Sequence, residues 1–370
     1  MKRNCILFLQ LFIALFCAIQ SSCMDDDVWA LRHQDEQNVK LGRGVWVVNE
    51  GNFMFGNSTL SFYELGNNTV RQQVFYKRNG FPLGDVAHSI CIHDTLAFIT
   101  VNNSGKIYIL DTRNFKFLGK ITGLFSPRYV HFVSQTKVYI TDLYAKSISI
   151  YSIRAESGGI RAEKLGAISV NNHSDLFGQH PTEQMVQIGT RVFVNCWSFD
   201  NKILVIDSNT DQLIDSVEVG VQPASMVADK LQRLWILTDG GYSGNALGYE
   251  APQLRCINTQ SLATEFVQGF ALGDQVRELD ANAMADTLYF IHKGLWCFAA
   301  ANPSVIIEKV PDTQKLYYSL CCDKKTGDLY LADAIDYQQP GVVYRFTNNG
   351  LPVDTFRVGI NPGAMKVVGE

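Results

Sequence analysis

The stretch Val45-Trp46-Val47-Val48 is the first of seven short apolar runs that carry an aromatic residue in second place. The other six are AFIT (97–100), VYIT (138–141), VFVN (192–195), LWIL (234–237), LYFI (288–291) and LYLA (329–332). Successive aromatic residues lie between 41 and 54 positions apart, about the length that a four-stranded propeller blade needs. The repeat therefore predicts an all-β protein, a seven-bladed β-propeller with four-stranded blades.

Each of these runs is followed by a second run with alternating apolar residues, such as KIYILD at 106–111 and KILVID at 202–207. Alternation with a period of two is the signal of a β-strand. The aromatic residues recur in register with the repeat. We therefore expect them to pack between neighbouring blades.

The C-terminus is expected to complete the first blade. The segment GINPGAM at 359–365 closely resembles GVQPASM at 220–226, whereas the tether residues immediately before Gly44 are mostly polar. We expect Ile360 to Val368 to pair beside Val45 to Val48, which would close a propeller spanning residues 43–370. Closure removes the open sheet edges that invite aggregation.

Residues 1–22 are typical of a lipoprotein signal peptide. Two basic residues precede an apolar run at 5–19 that is too short to span a bilayer. Ser21-Ser22-Cys23 resembles a bacterial lipobox, which predicts lipidation of Cys23 and a tether over 23–42. The alternative is ordinary cleavage near Ser22 and release as a soluble protein.

An acidic segment, Met24-Asp25-Asp26-Asp27, follows the predicted lipidation site. It resembles the tag that sends some lipoproteins of Gram-negative anaerobes to the outer face of the outer membrane. We therefore expect a surface-exposed lipoprotein held to the membrane by its lipid anchor. The formal net charge of −4 and the lack of a basic stripe argue against nucleic acid as a partner.

Six cysteines remain after residue 23, namely Cys91, Cys196, Cys256, Cys297, Cys321 and Cys322. An even number in an exported chain permits disulfides. However, Cys256 and Cys297 occupy the register at which other repeats have Ile109 and Val205, which favours small buried hydrophobic residues. Their disulfide state stays open. The sequence contains no CxxC motif or Cys/His spacing that would predict a metal site.

The functional residues of a propeller lie on the loops of one face. Three long connections between the second and third strands of a blade, at 49–58, 239–252 and 333–341, are rich in aromatic residues. Exposed aromatic side chains are costly unless they pack on neighbouring loops or on a ligand. Trp197 and Tyr242 are the strongest ligand-binding candidates. The complete predicted set is Phe53, Asp85, Arg128, Tyr129, Tyr144, Trp197, Asp239, Tyr242 and Tyr337.

The sequence does not favour an enzyme. GxSxG, HExxH and P-loop motifs are absent from the sequence. The carboxylates Asp85, Glu183 and Asp239 fall in different repeats. Because a propeller can assemble an active site from separate blades, a lyase or hydrolase stays a lesser alternative. We predict no catalytic residues and no catalytic cofactor.

Several motifs carry a resemblance to known propellers. The repeat resembles the YncE-like (YVTN-type) propellers. More specifically, the segments NEGNF (49–53), GFPLGDVAHS (80–89), VNNSGKI (101–107) and SPRY (126–129) resemble those of the BtuG-type surface lipoproteins. This resemblance implies a protein that captures a corrinoid, vitamin B12 or a relative. It also implies delivery to a TonB-dependent outer-membrane transporter of the BtuB type. The alternative is capture of a protein or a glycan on the same face.

Overall fold

The computed structural model describes residues 41–172, 178–312 and 314–369. The predicted signal peptide (1–22), Cys23 and nearly all of the predicted tether (23–42) lie outside the described residues. Those assignments stay predictions. Within the described ranges, no helix is both long and apolar enough to span a membrane.

The described residues form seven antiparallel sheets of four strands, which confirms the predicted propeller. In each blade the innermost strand is named first and the outermost strand last. Blades 1 to 4 are β28 (Pro362–Val368), β1 (Gly44–Asn49), β2 (Thr59–Glu64) and β3 (Thr69–Arg71); β4 (Ala87–His93), β5 (Leu96–Val101), β6 (Lys106–Asp111) and β7 (Phe117–Ile121); β8 (Pro127–Phe132), β9 (Lys137–Asp142), β10 (Ser147–Glu156) and β11 (Gly159–Ser169); and β12 (Thr182–Ile188), β13 (Arg191–Cys196), β14 (Lys202–Asp207) and β15 (Gln212–Glu218).

The remaining three blades repeat this arrangement. Blades 5 to 7 are β16 (Pro223–Ala228), β17 (Arg233–Thr238), β18 (Gln253–Asn258) and β19 (Thr264–Gly269); β20 (Val276–Ala281), β21 (Thr287–His292), β22 (Gly294–Ala299) and β23 (Asn302–Val310); and β24 (Tyr317–Cys322), β25 (Leu329–Asp333), β26 (Pro340–Phe346) and β27 (Pro352–Ile360). Within the described part of the chain, one α-helix, α1 (Val74–Asn79), lies between β3 and β4, and a 3-10 turn spans Asn102–Ser104.

The C-terminal strand closes the ring as expected. β28 pairs antiparallel with β1, so that Gly44 lies opposite Val368 and Val47 lies opposite Met365. The closing strand begins at Pro362 rather than at Ile360, because Ile360 is the last residue of β27. The first and last strands of the propeller therefore stabilise one sheet.

The seven aromatic residues of the repeat are buried between blades, as predicted. Trp46 packs in a cluster with Ile99 of blade 2, and Trp235 packs with Phe290 of blade 6. Tyr330 of blade 7 packs with Val45 of blade 1 across the point of closure. Each blade contributes its aromatic residue to an apolar cluster shared with the next blade, so the core is a ring of seven interfaces.

All six described cysteines are free thiols, and five of them are buried. Cys256 and Cys297 lie within inter-blade clusters, which confirms that they act as small hydrophobic residues. Burial raises the pKa of the Cys256 thiol to about 12, so it stays protonated at neutral pH.

Two kinds of connection meet at one face of the propeller. They are the loops between the second and third strands of a blade, such as 50–58 and 239–252, and the connections between blades, such as 122–126 and 270–275. We call this side the loop face. The predicted third long loop is shorter than expected, because Pro340 already belongs to β26.

Candidate functional site

A backbone irregularity at the start of every innermost strand forms the site. In all seven blades, the pairing between the first and second strands shifts register close to the first residue of the inner strand. A β-bulge of this kind re-aims a side chain out of the regular alternation. The residues at the irregularity are Gly363, His88, Arg128 with Tyr129, Glu183 with Gln184, Ala224, Glu278 and Tyr318. These positions form a ring around the propeller axis.

A cavity of about 500 Å³ lies inside this ring and opens between the loops of the loop face. We call it the central cavity. Its walls combine inner-strand residues with residues of the surrounding loops: Glu50, His88, Arg128, Tyr129, Glu183, Trp197, Ala224, Asp239, Gly241, Tyr242, Ser243, Tyr249, Gly273, Asp274, Gln275, Val276, Arg277, Glu278, Tyr318 and Gly363. Its volume falls in the range of about 300–1,000 Å³ that is typical of small-molecule sites.

Charged groups of different blades are paired in the cavity. Arg128 Nε lies 2.7 Å from Glu183 Oε1 and donates to Glu183 Oε2 at 2.8 Å. Across the axis, the Tyr318 hydroxyl donates to Glu50 Oε2 at 3.0 Å. His88 lies between these two pairs, with Nε2 3.7 Å from Glu183 Oε2 and Nδ1 4.0 Å from Glu50 Oε1. Buried His88 Nε2 has no hydrogen-bond partner among the described residues, which is typical of a group that faces water or a ligand.

Gly363 leaves room for the close approach of the Glu50 side chain. A Cβ atom on Gly363 would lie 2.3 Å from Glu50 Oε1. Any side chain at this position of β28 would therefore displace the Glu50 carboxyl from the cavity. The glycine leaves Glu50 in place beside Tyr318.

Burial changes the protonation of the cavity residues. It raises the pKa of both Glu50 and Glu278 to about 7, although the Tyr318 hydrogen bond opposes the shift at Glu50 and the charge of Arg277 opposes it at Glu278. Burial and the nearby charge of Arg128 lower the pKa of His88, so the ring is neutral at pH 7. Two carboxyl groups of the cavity can therefore act as hydrogen-bond donors or acceptors near neutral pH.

Glu183 behaves differently from the other two glutamates. Burial alone would raise the pKa of Glu183, but the neighbouring charge of Arg128 outweighs that effect and holds the pKa below its ordinary value. The Arg128–Glu183 pair therefore stays charged inside the cavity. Neighbouring carboxyl groups with different protonation are a feature of binding and catalytic sites.

Loop 239–252 forms one wall of the cavity and is held by hydrogen bonds. The Trp197 indole nitrogen donates to Asp239 Oδ2 at 2.8 Å, and Gln222 Nε2 donates to the same oxygen at 3.2 Å. Asp239 Oδ1 accepts from the Gly241 backbone at 2.8 Å. Tyr242, which follows directly, is half exposed and contacts the edge of Phe199. The wall is therefore anchored at its base, with an aromatic side chain exposed at its tip.

Five of the nine predicted ligand-binding residues line the central cavity: Arg128, Tyr129, Trp197, Asp239 and Tyr242. Three of these five, Arg128, Trp197 and Asp239, also form side-chain hydrogen bonds within the protein. Of the other four predicted residues, Asp85 accepts hydrogen bonds from the Met54 backbone at 2.9 and 3.1 Å and thereby holds loop 50–58. Phe53, Tyr144 and Tyr337 lie exposed on loops around the cavity mouth.

Sequence reasoning missed Glu50, His88, Arg277, Glu278 and Tyr318 as site residues and interpreted Glu183 as a scattered loop acid. A positional signal was nevertheless present. Four of these six residues lie at the second position of an inner strand, as His88, Glu183, Arg277 and Tyr318 do. Aligning the repeats at that position would have brought these four together with Arg128.

A second cavity of about 450 Å³ continues along the axis toward the opposite face. It shares Tyr129, Glu278 and Gly363 with the central cavity, so these residues mark the boundary between the two. One described cluster outside both cavities has metal-ligand chemistry, namely His180, Cys196 and Asp200.

Solved structures with this fold belong to proteins of diverse description. A quinonprotein alcohol dehydrogenase-like protein from Bacteroides thetaiotaomicron matches with a TM-score of 0.67 and 12% identity, over 89% of this chain and 79% of its own. The periplasmic gluconolactonase PpgL of Pseudomonas aeruginosa has a TM-score of 0.65 and 10% identity, over 88% and 99% of the two chains. A putative 6-phosphogluconolactonase from Bacteroides fragilis has a TM-score of 0.59 and 11% identity, over 90% and 100%. At these identities the likeness establishes the fold alone.

Sequence comparison identifies the family. No curated protein matches this chain. The family model described as Domain of unknown function (DUF5074) matches residues 43–355, which include strands of all seven blades. The chain therefore belongs to the DUF5074 domain family.

Proposed function

We propose that this protein is a surface lipoprotein that captures a corrinoid on its loop face and delivers it to a TonB-dependent outer-membrane transporter of the BtuB type. The observation that carries the proposal is the position of the central cavity. A polar cavity of about 500 Å³ opens on the face that also carries the exposed aromatic residues Phe53, Phe55, Tyr144 and Tyr337.

The shape of the face suits a ligand wider than the cavity. A corrinoid is a broad, flat ring system fringed with amide arms. Its ring would lie across the cavity mouth, against the exposed aromatic side chains of the surrounding loops. One or more amide arms would enter the cavity, where polar groups are concentrated.

The polar groups of the cavity match amide chemistry. An amide arm offers both a carbonyl acceptor and an N–H donor. Arg277 can donate to the carbonyl, while Asp239 and Glu50 can accept from the N–H group. Because the pKa of Glu50 is raised by burial to about 7, this carboxyl can take either role.

The rigidity of the propeller supports tight binding. The cavity residues lie on inner strands or on loops anchored by hydrogen bonds, as Trp197 and Asp239 are. Little conformational entropy is lost when such a site binds its ligand. The apolar side chains at the rim of the loop face would supply the contact with the transporter.

Tyr242 allows a sharp test, because its half-exposed side chain can be removed without breaking a hydrogen bond of the wall. Removing a central aromatic anchor typically costs about 2 kcal/mol or more, so Tyr242→Ala should weaken cobalamin binding roughly thirtyfold or more. Leu231→Ala is the matched control, since Leu231 is an exposed apolar residue of the same blade on the opposite face. Isothermal calorimetry and the visible spectrum of cobalamin measure cobalamin binding by both variants.

The outcomes separate the alternatives. Wild-type protein that stays colourless and gives no heat with cobalamin would contradict the corrinoid proposal and favour capture of a protein or glycan. Binding that Tyr242→Ala and Leu231→Ala weaken equally would place the ligand elsewhere on the molecule.

A second candidate, acid–base catalysis, is favoured by the two carboxyl groups, Glu50 and Glu278, whose pKa burial raises to about 7. General acid–base catalysts work best when their pKa is near the operating pH. One protein of similar fold is described as a gluconolactonase, and another as a putative 6-phosphogluconolactonase. Assay of the wild type and Glu50→Gln on aldonolactones tests this candidate. It requires turnover by the wild type that falls by a factor of about 10² or more in the variant.

A further inference from the structure

We propose that His180, Cys196 and Asp200 form a Zn²⁺ site in blade 4, beside the wall of the central cavity. One ligand atom from each residue lies within 4.8 Å of the other two, and this is the only such group among the described residues. The site is independent of the proposed function, because none of the three side chains lines the central cavity.

The local backbone brings two of the ligands together. Cys196 is the last residue of β13, and Asp200 follows four positions later. Between them, Ser198 and Phe199 both have positive φ angles, of 42° and 62°. Two consecutive non-glycine residues in this conformation are unusual. The tight turn that they form returns the Asp200 carboxylate toward the Cys196 thiol.

Backbone groups orient the carboxylate. Asp200 Oδ1 accepts hydrogen bonds from the backbone nitrogens of Asn201 at 2.7 Å and Lys202 at 3.1 Å. The other oxygen, Oδ2, lies 2.6 Å from His180 Nδ1. His180 Nδ1 and Asp200 Oδ2 therefore already face each other across a hydrogen bond. To hold a metal ion between them, the imidazole would carry its proton on Nε2 instead of Nδ1, and the two atoms would separate by less than about an ångström.

Cys196 supplies the third donor. Its side chain is completely buried, and it forms no disulfide with another described cysteine. Cys196 packs in an apolar inter-blade cluster, as Cys256 does in blade 5, but among the described residues only Cys196 also has a histidine and a carboxylate beside it. Cys196 is therefore distinguished from the other buried cysteines by the donors that surround it.

The donor set selects the metal. Thiolate, imidazole and carboxylate together favour Zn²⁺, which binds these ligands with tetrahedral geometry. Binding would displace the thiol proton to solvent, so that the thiolate and the Asp200 carboxylate balance both charges of the ion. A neutral assembly avoids the penalty of burying an uncompensated charge. A water molecule would complete the tetrahedron.

The zinc site would be linked to the central cavity by a single peptide bond. Cys196 is followed directly by Trp197, whose indole donates to Asp239 in the cavity wall. A metal ion on Cys196 and Asp200 would fix both ends of the turn that carries Trp197. A zinc ion at this site would therefore stabilise the position of Trp197 in the wall of the central cavity.

Metal analysis of the purified propeller tests the proposal. Protein stripped with a chelator and reconstituted with Zn²⁺ should retain one equivalent after gel filtration. Reconstitution with Co²⁺ should produce a sulfur-to-cobalt charge-transfer band and the intense visible bands of a tetrahedral site. Cys196→Ser should lose the charge-transfer band and weaken Zn²⁺ binding by more than about a hundredfold, because even outer-shell changes cost about 10- to 100-fold.

Cys256→Ser is the matched control, since it removes a buried thiol from the neighbouring blade. It should leave the cobalt spectrum and the zinc stoichiometry unchanged. His180→Asn provides a second variant that leaves the thiol in place, and it should also weaken metal binding. Absence of stoichiometric zinc in the wild type would overturn the proposal. So would a cobalt spectrum that Cys196→Ser and Cys256→Ser leave equally intact.

Discussion

At the scale of single residues, position in the ring decides protonation. Glu278 and Glu183 are both glutamates on inner strands that face the axis. Burial raises the pKa of Glu278 to about 7, whereas the direct ion pair with Arg128 overcomes burial at Glu183 and lowers its pKa. The difference therefore comes from the charged partner that each residue meets, since both glutamates lie close to the start of an inner strand.

The raised pKa of Glu278 predicts a specific dependence of stability on pH. Its folded-state pKa of about 7 lies above the ordinary value of 4.5, so the folded protein holds a proton that the unfolded chain releases in this window. Stability should therefore fall as pH rises from about 5 to about 8. Between these two pH values, the free energy of unfolding of the isosteric variant Glu278→Gln should therefore decrease by about 1–3 kcal/mol less than that of the wild type.

Chemical denaturation at pH 5 and pH 8 measures this effect. Glu308→Gln serves as the control, because Glu308 is an exposed glutamate of the outer strand β23. Equal pH dependence of the wild type and Glu278→Gln would show that Glu278 is already ionised at pH 5 in the folded protein.

At the scale of elements, the inner strands have two roles. Their later residues pair regularly and pack into the inter-blade clusters, as Met365 of β28 does. Their first residues form the bulges that direct His88 and Tyr318 toward the axis. The regularly paired part of each inner strand therefore holds in place the bulge at its start, which carries the site residue.

Removing the closing strand should unfold the propeller. A chain that ends before Pro362 would leave β1 without its inner partner and expose the cluster around Val45, Val47 and Met365. We expect a loss comparable with the whole folding free energy of about 5–15 kcal/mol, together with aggregation through open sheet edges. Thermal unfolding and light scattering measure both, and a chain that ends after Val368 is the control. A monomeric truncated protein with unchanged Tm would contradict closure as a source of stability.

At the scale of the whole molecule, seven similar inter-blade interfaces form one closed disc. Large aromatic side chains surround the mouth of the central cavity at the loop face. A tether of the predicted length would let such a disc turn this face toward a neighbouring membrane protein. In this proposal the lipid on Cys23 holds the tether, and through it the disc, at the membrane.

The anchor can be tested in cells. If Cys23 carries the lipid, Cys23→Ala should move the protein from the membrane fraction to the soluble fraction, because the variant lacks the thiol to which the anchoring acyl chains would be attached. Cys17→Ala, within the apolar run of the signal peptide, should leave the distribution unchanged. Cell fractionation with labelled palmitate measures location and acylation together. Equal membrane association and labelling of wild type and Cys23→Ala would refute lipidation at this residue.

The sequence by itself determined the blades, because strand alternation and the recurring aromatic residues are local patterns that repeat along the chain. It also indicated closure, through the likeness of residues 359–365 to 220–226. Only the tertiary structure decided the site. Glu50, His88, Glu183 and Glu278 come from different blades and meet because the ring brings the starts of all inner strands to one axis. Their pKa values depend on burial and on neighbours far away in sequence, which no local pattern reports.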